Sequence, residues 1–259
     1  MKIRSVKAIE VDVTPHATTK PRVPKIATNG FVSPMQRYPE LKRSDWGNNW
    51  KRTACVVTAE DGTWGFGLTL HSGVTVPLIN DHIGPVIEGE NCMATERVWD
   101  LMQKATAPYG TAGVSSFAIS AVDNALWDLK GKLLNKPVYE IIGGPQKEKI
   151  FCYASNTDLS YGTENSIDWF LELGFKAVKL FLREGPDAGL AGLNRTEELV
   201  AKTREQVGPD VEIAVDCWMS MNTDYMVRLA EQLRPYRIKW LEDYMLPEDL
   251  DSYFNLRQR

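Results

Sequence analysis

Two acidic residues close short β-branched runs in the second half of the chain: Asp216 ends VEIAVD in VEIAVDCWMS, and Glu242 ends IKWLE in IKWLEDY. Hard carboxylate oxygens at successive strand ends suit a divalent cation, which takes its other oxygen donors from protein, water or substrate. Strand alternation adds a third charged group. In KAVKLFL, Val178, Leu180 and Leu182 form one apolar set and Lys179 and Phe181 the other, while in VEIAVD Val211, Ile213 and Val215 oppose Ala214 and Asp216. Lys179, Asp216 and Glu242 are therefore expected on one side of a sheet. Each also has a simpler reading. An Asp at a strand-to-helix junction commonly caps the helix. Lys179 can be a solvated strand-end lysine, and Asp243, beside Glu242, faces the other way on an ideal strand as a capping or supporting group.

Positioning these side chains needs a parallel sheet, and the chain after Gly143-Gly144-Pro145 reads as one. IFCYAS, a helix near 163–173, KAVKLFL, a helix near 195–207, VEIAVD, a helix near 223–235, IKWLE and the start of another helix follow in order. Four parallel strands with crossover helices make an α/β sheet or barrel. In a barrel the shared face is the interior, and the C-terminal strand ends are where chemistry is done. The front of the chain is different. Residues 2–13 and 53–59 read as strands, and Glu60-Asp61-Gly62-Thr63 turns the second into TWGFGLTL, an antiparallel meander. Residues 14–50 have no period and exceed the usual connection length, which predicts a lid or binding loop. Helical periods run over 75–103 and 115–134, the second with Phe117, Ala121, Ala125 and Leu129 on one stripe.

Charge and composition narrow the partners. A net charge of −4 lacks the basic footprint that a phosphate backbone requires, so nucleic acid is not an expected partner. MKIRSVKAIEVDV alternates like a strand rather than a signal peptide, and no apolar run is long enough to span a bilayer, so no membrane partner and a cytoplasmic location are expected. Cys55, Cys92, Cys152 and Cys217 are irregularly spaced and read as reduced, most of them core fillers. His71 and His82 lack an evident carboxylate partner and read as surface or satisfied core residues. Gly143-Gly144 is a junction turn, because no phosphate-loop context surrounds it.

Four ordered segments carry a resemblance. AISAVDNALWDLKGKLLNKPVYEIIGG (118–144), GFKAVKLF, VDCWMS and WLED resemble, in that order, motifs of the enolase superfamily and its mandelate racemase subgroup. The fold this implies is α/β: an α+β capping domain over 1–145 with lid loop 14–50, then over 146–259 a partial (β/α) TIM-type barrel with about four of eight strands. The resemblance also implies Mg2+ held by three carboxylates at the ends of barrel strands three, four and five. Asp216 and Glu242 would be two of these ligands, and the third is expected beyond Arg259 in a chain that reads as truncated.

Many members carry Lys-x-Lys on the second barrel strand, with the second lysine as base. Here the segment is Lys179-Leu180-Phe181, and a phenyl ring cannot accept a proton. The resemblance implies for Lys179, the first lysine, a catalytic residue's electrostatic role beside the substrate carboxylate. The base is then expected to be the family's histidine–aspartate pair on later strands. The departure makes the chain similar to the acid-sugar dehydratases of the subgroup, the L-rhamnonate dehydratases most of all. SPMQRYPELKRSDWG resembles their capping loop, in which Arg43 would bind substrate; composition alone reads the same stretch as a solvated loop. Trp46, Asn48 and Trp50 would close over a polyol or anchor the loop. The implied reaction removes the C2 proton and C3 hydroxyl of an aldonic acid to give a 2-keto-3-deoxy acid. A small sugar acid is thus the expected partner, with homo-oligomers expected of the intact protein. The rival readings are a non-catalytic fragment acting as an interaction module, and a racemase or cycloisomerase of the same superfamily.

Overall fold

Apolar alternation in IRSVKAIEV and RTACVVTA produces β1 (Ile3–Val11) and β2 (Arg52–Ala59), and β3 (Trp64–Thr69) completes an antiparallel sheet in the order β1-β2-β3. The computed structural model describes residues 1–11, 51–110, 112–155 and 163–258, which fall into two compact units divided between Glu148 and Lys149. Lid loop 14–50, with Arg43, Trp46, Asn48 and Trp50, lies outside the described residues. At the β2–β3 turn, Gly62 takes φ 91°, open to glycine without strain. Its N–H donates to Ala59 O at 3.0 Å, and the Ala59 N–H donates to Thr63 O at 2.8 Å.

The first unit continues through α1 (Ser72–Pro77), a π-helical turn over Leu78–Ile83, α2 (Gly84–Ile87), α3 (Thr95–Thr106), α4 (Val114–Leu134) and α5 (Val138–Ile141). The sequence period over 75–103 ran through these breaks. Helix α4 lies directly on β3, an approach that only glycine permits. A Cβ at Gly65 would stand 1.9 Å from Ala125 O, and one at Gly67 would stand 2.0 Å from Ala121 O. Asp128 on α4 accepts from the Phe66 N–H at 2.8 Å and from Lys132 Nζ at 2.6 Å, fixing the helix against the strand. Val6, Val57, Ile83, Met102, Val122 and Leu126 lie in the core between these elements. Ala121, Ala125 and Leu129 are buried as their stripe predicts, but Phe117 is 37% exposed. The buried face of α4 turns toward Ala118 and Val122, leaving Phe117 to stack on His71 with ring centroids 5.1 Å apart.

The second unit alternates strands and helices: β4 (Ala154–Ser155), α6 (Thr163–Glu172), β5 (Ala177–Phe181), α7 (Gly189–Val207), β6 (Glu212–Asp216), α8 (Thr223–Leu233), β7 (Ile238–Glu242) and α9 (Leu250–Arg257). All four strands are parallel, in the order β4-β5-β6-β7. IFCYAS contributes only its last two residues, since Ile150, Phe151 and Tyr153 are too exposed to be held as a buried strand. Val178, Leu180, Leu182, Ile213, Val215 and Cys217 face the helices and pack on Leu193, Val200, Met226 and Leu229. Arg204 ties α7 to the strand entrances, donating to the carbonyls of Gly208, Val211 and Tyr236. Among the described residues, no helix is long and apolar enough to cross a membrane.

Candidate active site

Parallel register places the charged residues. Phe181 pairs with Asp216 across β5–β6, and Asp216 pairs with Glu242 across β6–β7, so both carboxylates reach the C-terminal edge together. Lys179, two residues before the end of β5, extends along the face opposite the apolar core. Its Nζ lies 2.8 Å from Glu242 Oε1 and 3.1 Å from Asp216 Oδ2. The Lys179 and Asp216 side chains are only 8% and 5% exposed, whereas Glu242 keeps 29% and opens the site to solvent. The aromatic rings of Phe181 and Tyr153 flank the ammonium, their centroids 5.3 and 5.5 Å from Nζ.

Each ionisable group responds to burial and to the others. Burial would lower the Lys179 pKa, but hydrogen bonds to Glu242 and Asp216 outweigh it and hold the ammonium above the ordinary lysine value. Burial is also the largest influence on Asp216. It raises that carboxyl despite the opposing effects of Lys179 and of the Trp218 N–H, which donates to Oδ1 at 3.0 Å. Burial pushes Glu242 the same way, yet hydrogen bonds from Lys179 and Trp240 prevail and keep it low. The three therefore form a coupled cluster in which the lysine is charged.

The loops leaving β6 and β7 are laced together. Cys217 N–H donates to Glu242 O at 2.9 Å, Met219 N–H to Asp243 O, and Met221 N–H to Tyr244 O at 2.9 Å. Trp218, Met219 and Asp243 take positive φ of 45°, 61° and 45°, left-handed conformations that cost non-glycine residues about 1 kcal/mol or more each. Ideal alternation puts Asp243 on the far face. The left-handed turn changes its direction, and its carboxylate comes within 4.8 Å of the ligand atoms of Asp216 and Glu242.

Three carboxylates stand against one ammonium, so the cluster retains negative charge, and its donors are all hard oxygens. That donor chemistry fits a magnesium-type cation better than a softer metal. Sequence patterning overlooked two aromatic partners: Trp240, whose Nε1–H donates to Glu242 Oε2 at 2.9 Å, and Tyr153, set edge-on to Trp240 at 5.3 Å. Trp240 precedes Glu242 by two residues, the same-face spacing of a strand, and that was its available signal. His82 lies elsewhere, with Nε2 3.2 Å from Ala105 O, and Arg43 is outside the described residues.

Residues 164–259 match the family model described as enolase C-terminal domain-like, and residues 50–143 match the N-terminal domain of mandelate racemase / muconate lactonizing enzyme. The chain belongs to the enolase superfamily. An L-rhamnonate dehydratase from Saccharopolyspora erythraea is 39% identical over the whole chain, which spans about 65% of that relative's length. The structure of rhamnonate dehydratase from Gibberella zeae complexed with Mg superposes with a TM-score of 0.85 at 29% identity, over 99% of this chain and 63% of that one. The 3,6-anhydro-D-galactonate cycloisomerase from Zobellia galactanivorans is 31% identical with a TM-score of 0.70, over 80% of this chain and 57% of its own. This enolase-superfamily chain thus shares its two-part α/β plan with enzymes of more than one reaction.

Proposed function

We propose that this chain supplies metal-binding and carboxylate-recognition residues to a magnesium-dependent acid-sugar dehydratase acting on L-rhamnonate or a closely related aldonic acid. The observation that carries this is the contact of Lys179 with both Asp216 and Glu242 at the C-terminal edge of a parallel sheet. Support comes from the similarity to L-rhamnonate dehydratases and from the magnesium named in one of their structures.

Asp216 and Glu242 would hold the cation, with Asp243 close enough to share it directly or through water. When bound, Mg2+ supplies concentrated positive charge where a substrate carboxylate turns toward an enediolate. Lys179 adds a second cation from the next strand, held charged by its carboxylate partners. Together these charges would acidify the C2 proton; its transfer to a base and departure of the C3 hydroxyl with a proton, as water, would leave an enol that tautomerises to the 2-keto-3-deoxy acid. Phe181 accepts no proton, which disfavours racemase or cycloisomerase chemistry based on a lysine at that position. In the proposed reaction the proton goes to another residue.

The test is to incubate the protein that contains this chain with Mg2+ and a panel of aldonic acids. Release of a 2-keto-3-deoxy acid from L-rhamnonate or a near stereoisomer is expected, with none from Asp216→Asn. No product from any member of the panel, or equal product after removal of divalent metal, would overturn the proposal.

A further inference from the structure

Trp240 occupies an irregular place in its strand. The β6–β7 register shifts between Ile213, paired with Ile238, and Val215, paired with Leu241, so Lys239 and Trp240 together face Ala214. A bulge of this kind re-aims a side chain, and bulges concentrate beside active sites. Here the irregularity accompanies an indole whose Nε1–H meets Glu242 Oε2 at 2.9 Å, two residues further along the chain. Tyr153 packs edge-on against the same ring at 5.3 Å, limiting its rotation.

The two oxygens of Glu242 thus have different partners. Oε1 meets the Lys179 ammonium and lies on the side of Asp216, whereas Oε2 is held by a neutral donor. An indole N–H can only donate, so it holds a carboxylate without neutralising it and leaves its charge available to a cation. Without this anchor Glu242 would be held through Oε1 by Lys179 alone, and its terminal torsion, which is broad for a carboxylate, would be free to turn the group out of the orientation fixed by two partners.

We propose that Trp240 is a positioning residue for the metal site, its indole N–H orienting Glu242 so that Oε1 faces Asp216. This rests on the reading of Asp216 and Glu242 as magnesium ligands. Partners that orient a ligand through its second atom commonly change metal affinity by about tenfold or more when removed.

The test is calorimetric titration of Mg2+ into the protein that contains this chain and into its Asp216→Asn and Trp240→Phe variants, with metal-free thermal melts in parallel. Phe keeps an aromatic ring beside Tyr153 and removes the donor together with part of the indole's area, which the metal-free melt accounts for. Binding by the parent, loss of binding in D216N, and about tenfold weaker binding in W240F with an unchanged metal-free melt are expected. Parent-like affinity in W240F alongside loss in D216N overturns the role of Trp240 alone. Failure of the parent to bind, or parent-like binding by D216N, overturns the metal reading and this proposal with it. If W240F does not fold, the indole proton of Trp240, identified by its proximity to Tyr153, decides in the parent. A hydrogen-bonded, slowly exchanging signal that persists at saturating Mg2+ supports the role, and reversion to a solvent-exposed indole signal overturns it.

Discussion

Lys179 is the residue through which the buried charges of the second unit are balanced. Removing its ammonium leaves Asp216 buried and Glu242 half-buried without their common cation, and loss of one member of a buried charge pair typically costs about 3 kcal/mol or more. Lys179→Met is therefore expected to lower the urea midpoint clearly at pH 7 when no metal is added. The pH dependence has a definite sign. Glu242 is held below its ordinary value, so the stability it contributes is present above about pH 4.3 and is lost as pH falls through its lower folded value. Asp216, raised by burial, protonates more readily in the folded chain and no longer needs the cation in acid. The deficit of K179M should thus be full at pH 7 and shrink below about pH 4; a deficit that grows on acidification would refute this balance. Alternation was enough to place these three residues on one face in the sequence. It could not find Tyr153, which reaches Lys179 through space, or the turn of Asp243, which depends on a left-handed φ that no side-chain pattern encodes.

Where elements meet, backbone proximity decides more than hydrophobic pattern does. The docking of α4 on β3 depends on the two small surfaces of Gly65 and Gly67, and both hypothetical Cβ atoms would strike backbone carbonyls rather than movable side chains. Gly67→Ala must therefore push α4 and the sheet apart. A loss of about 3 kcal/mol is expected, read as a lower denaturant midpoint at unchanged slope, whereas a neutral effect would mean that the helix shifts without penalty. In the sequence, TWGFGLTL reads as a strand, but its glycines give no sign of which helix they admit. Helix α7 begins at Gly189, ahead of the expected start near 195; the sequence hid this first stretch because GLAGLN lacks a strong apolar period and carries two glycines. Gly192 is nevertheless buried there, close to the Tyr225 hydroxyl. The reduction of IFCYAS to Ala154–Ser155 has the opposite cause. Its residues have strand propensity, but a strand persists only where neighbours cover it, and Ile150 and Phe151 remain largely exposed.

On the scale of the molecule, the two units have separate cores, and the proposed ligands all belong to the second. The sequence changes grammar after Gly143-Gly144-Pro145, from meander and helix to repeating strand and helix, because the two architectures require different connections. The separation of the cores also predicts how a bound cation should be felt. A ligand stabilises the folded state by RT ln(1 + [L]/Kd), about 2.7 kcal/mol at a hundredfold excess over Kd, and slows only those openings that destroy its site. The β5, β6 and β7 ends and the laced loops 217–221 and 243–244 must all be in place for Asp216, Glu242 and Asp243 to converge. Hydrogen exchange followed by mass spectrometry should therefore show Mg2+ slowing exchange in peptides covering 177–182, 212–221 and 238–245. Peptides from β1–β3 and α4 should change little, and Asp216→Asn should abolish the difference. Equal slowing in both units, or slowing that survives D216N, would place the cation elsewhere and separate this strand-end cluster from the chemistry proposed for it.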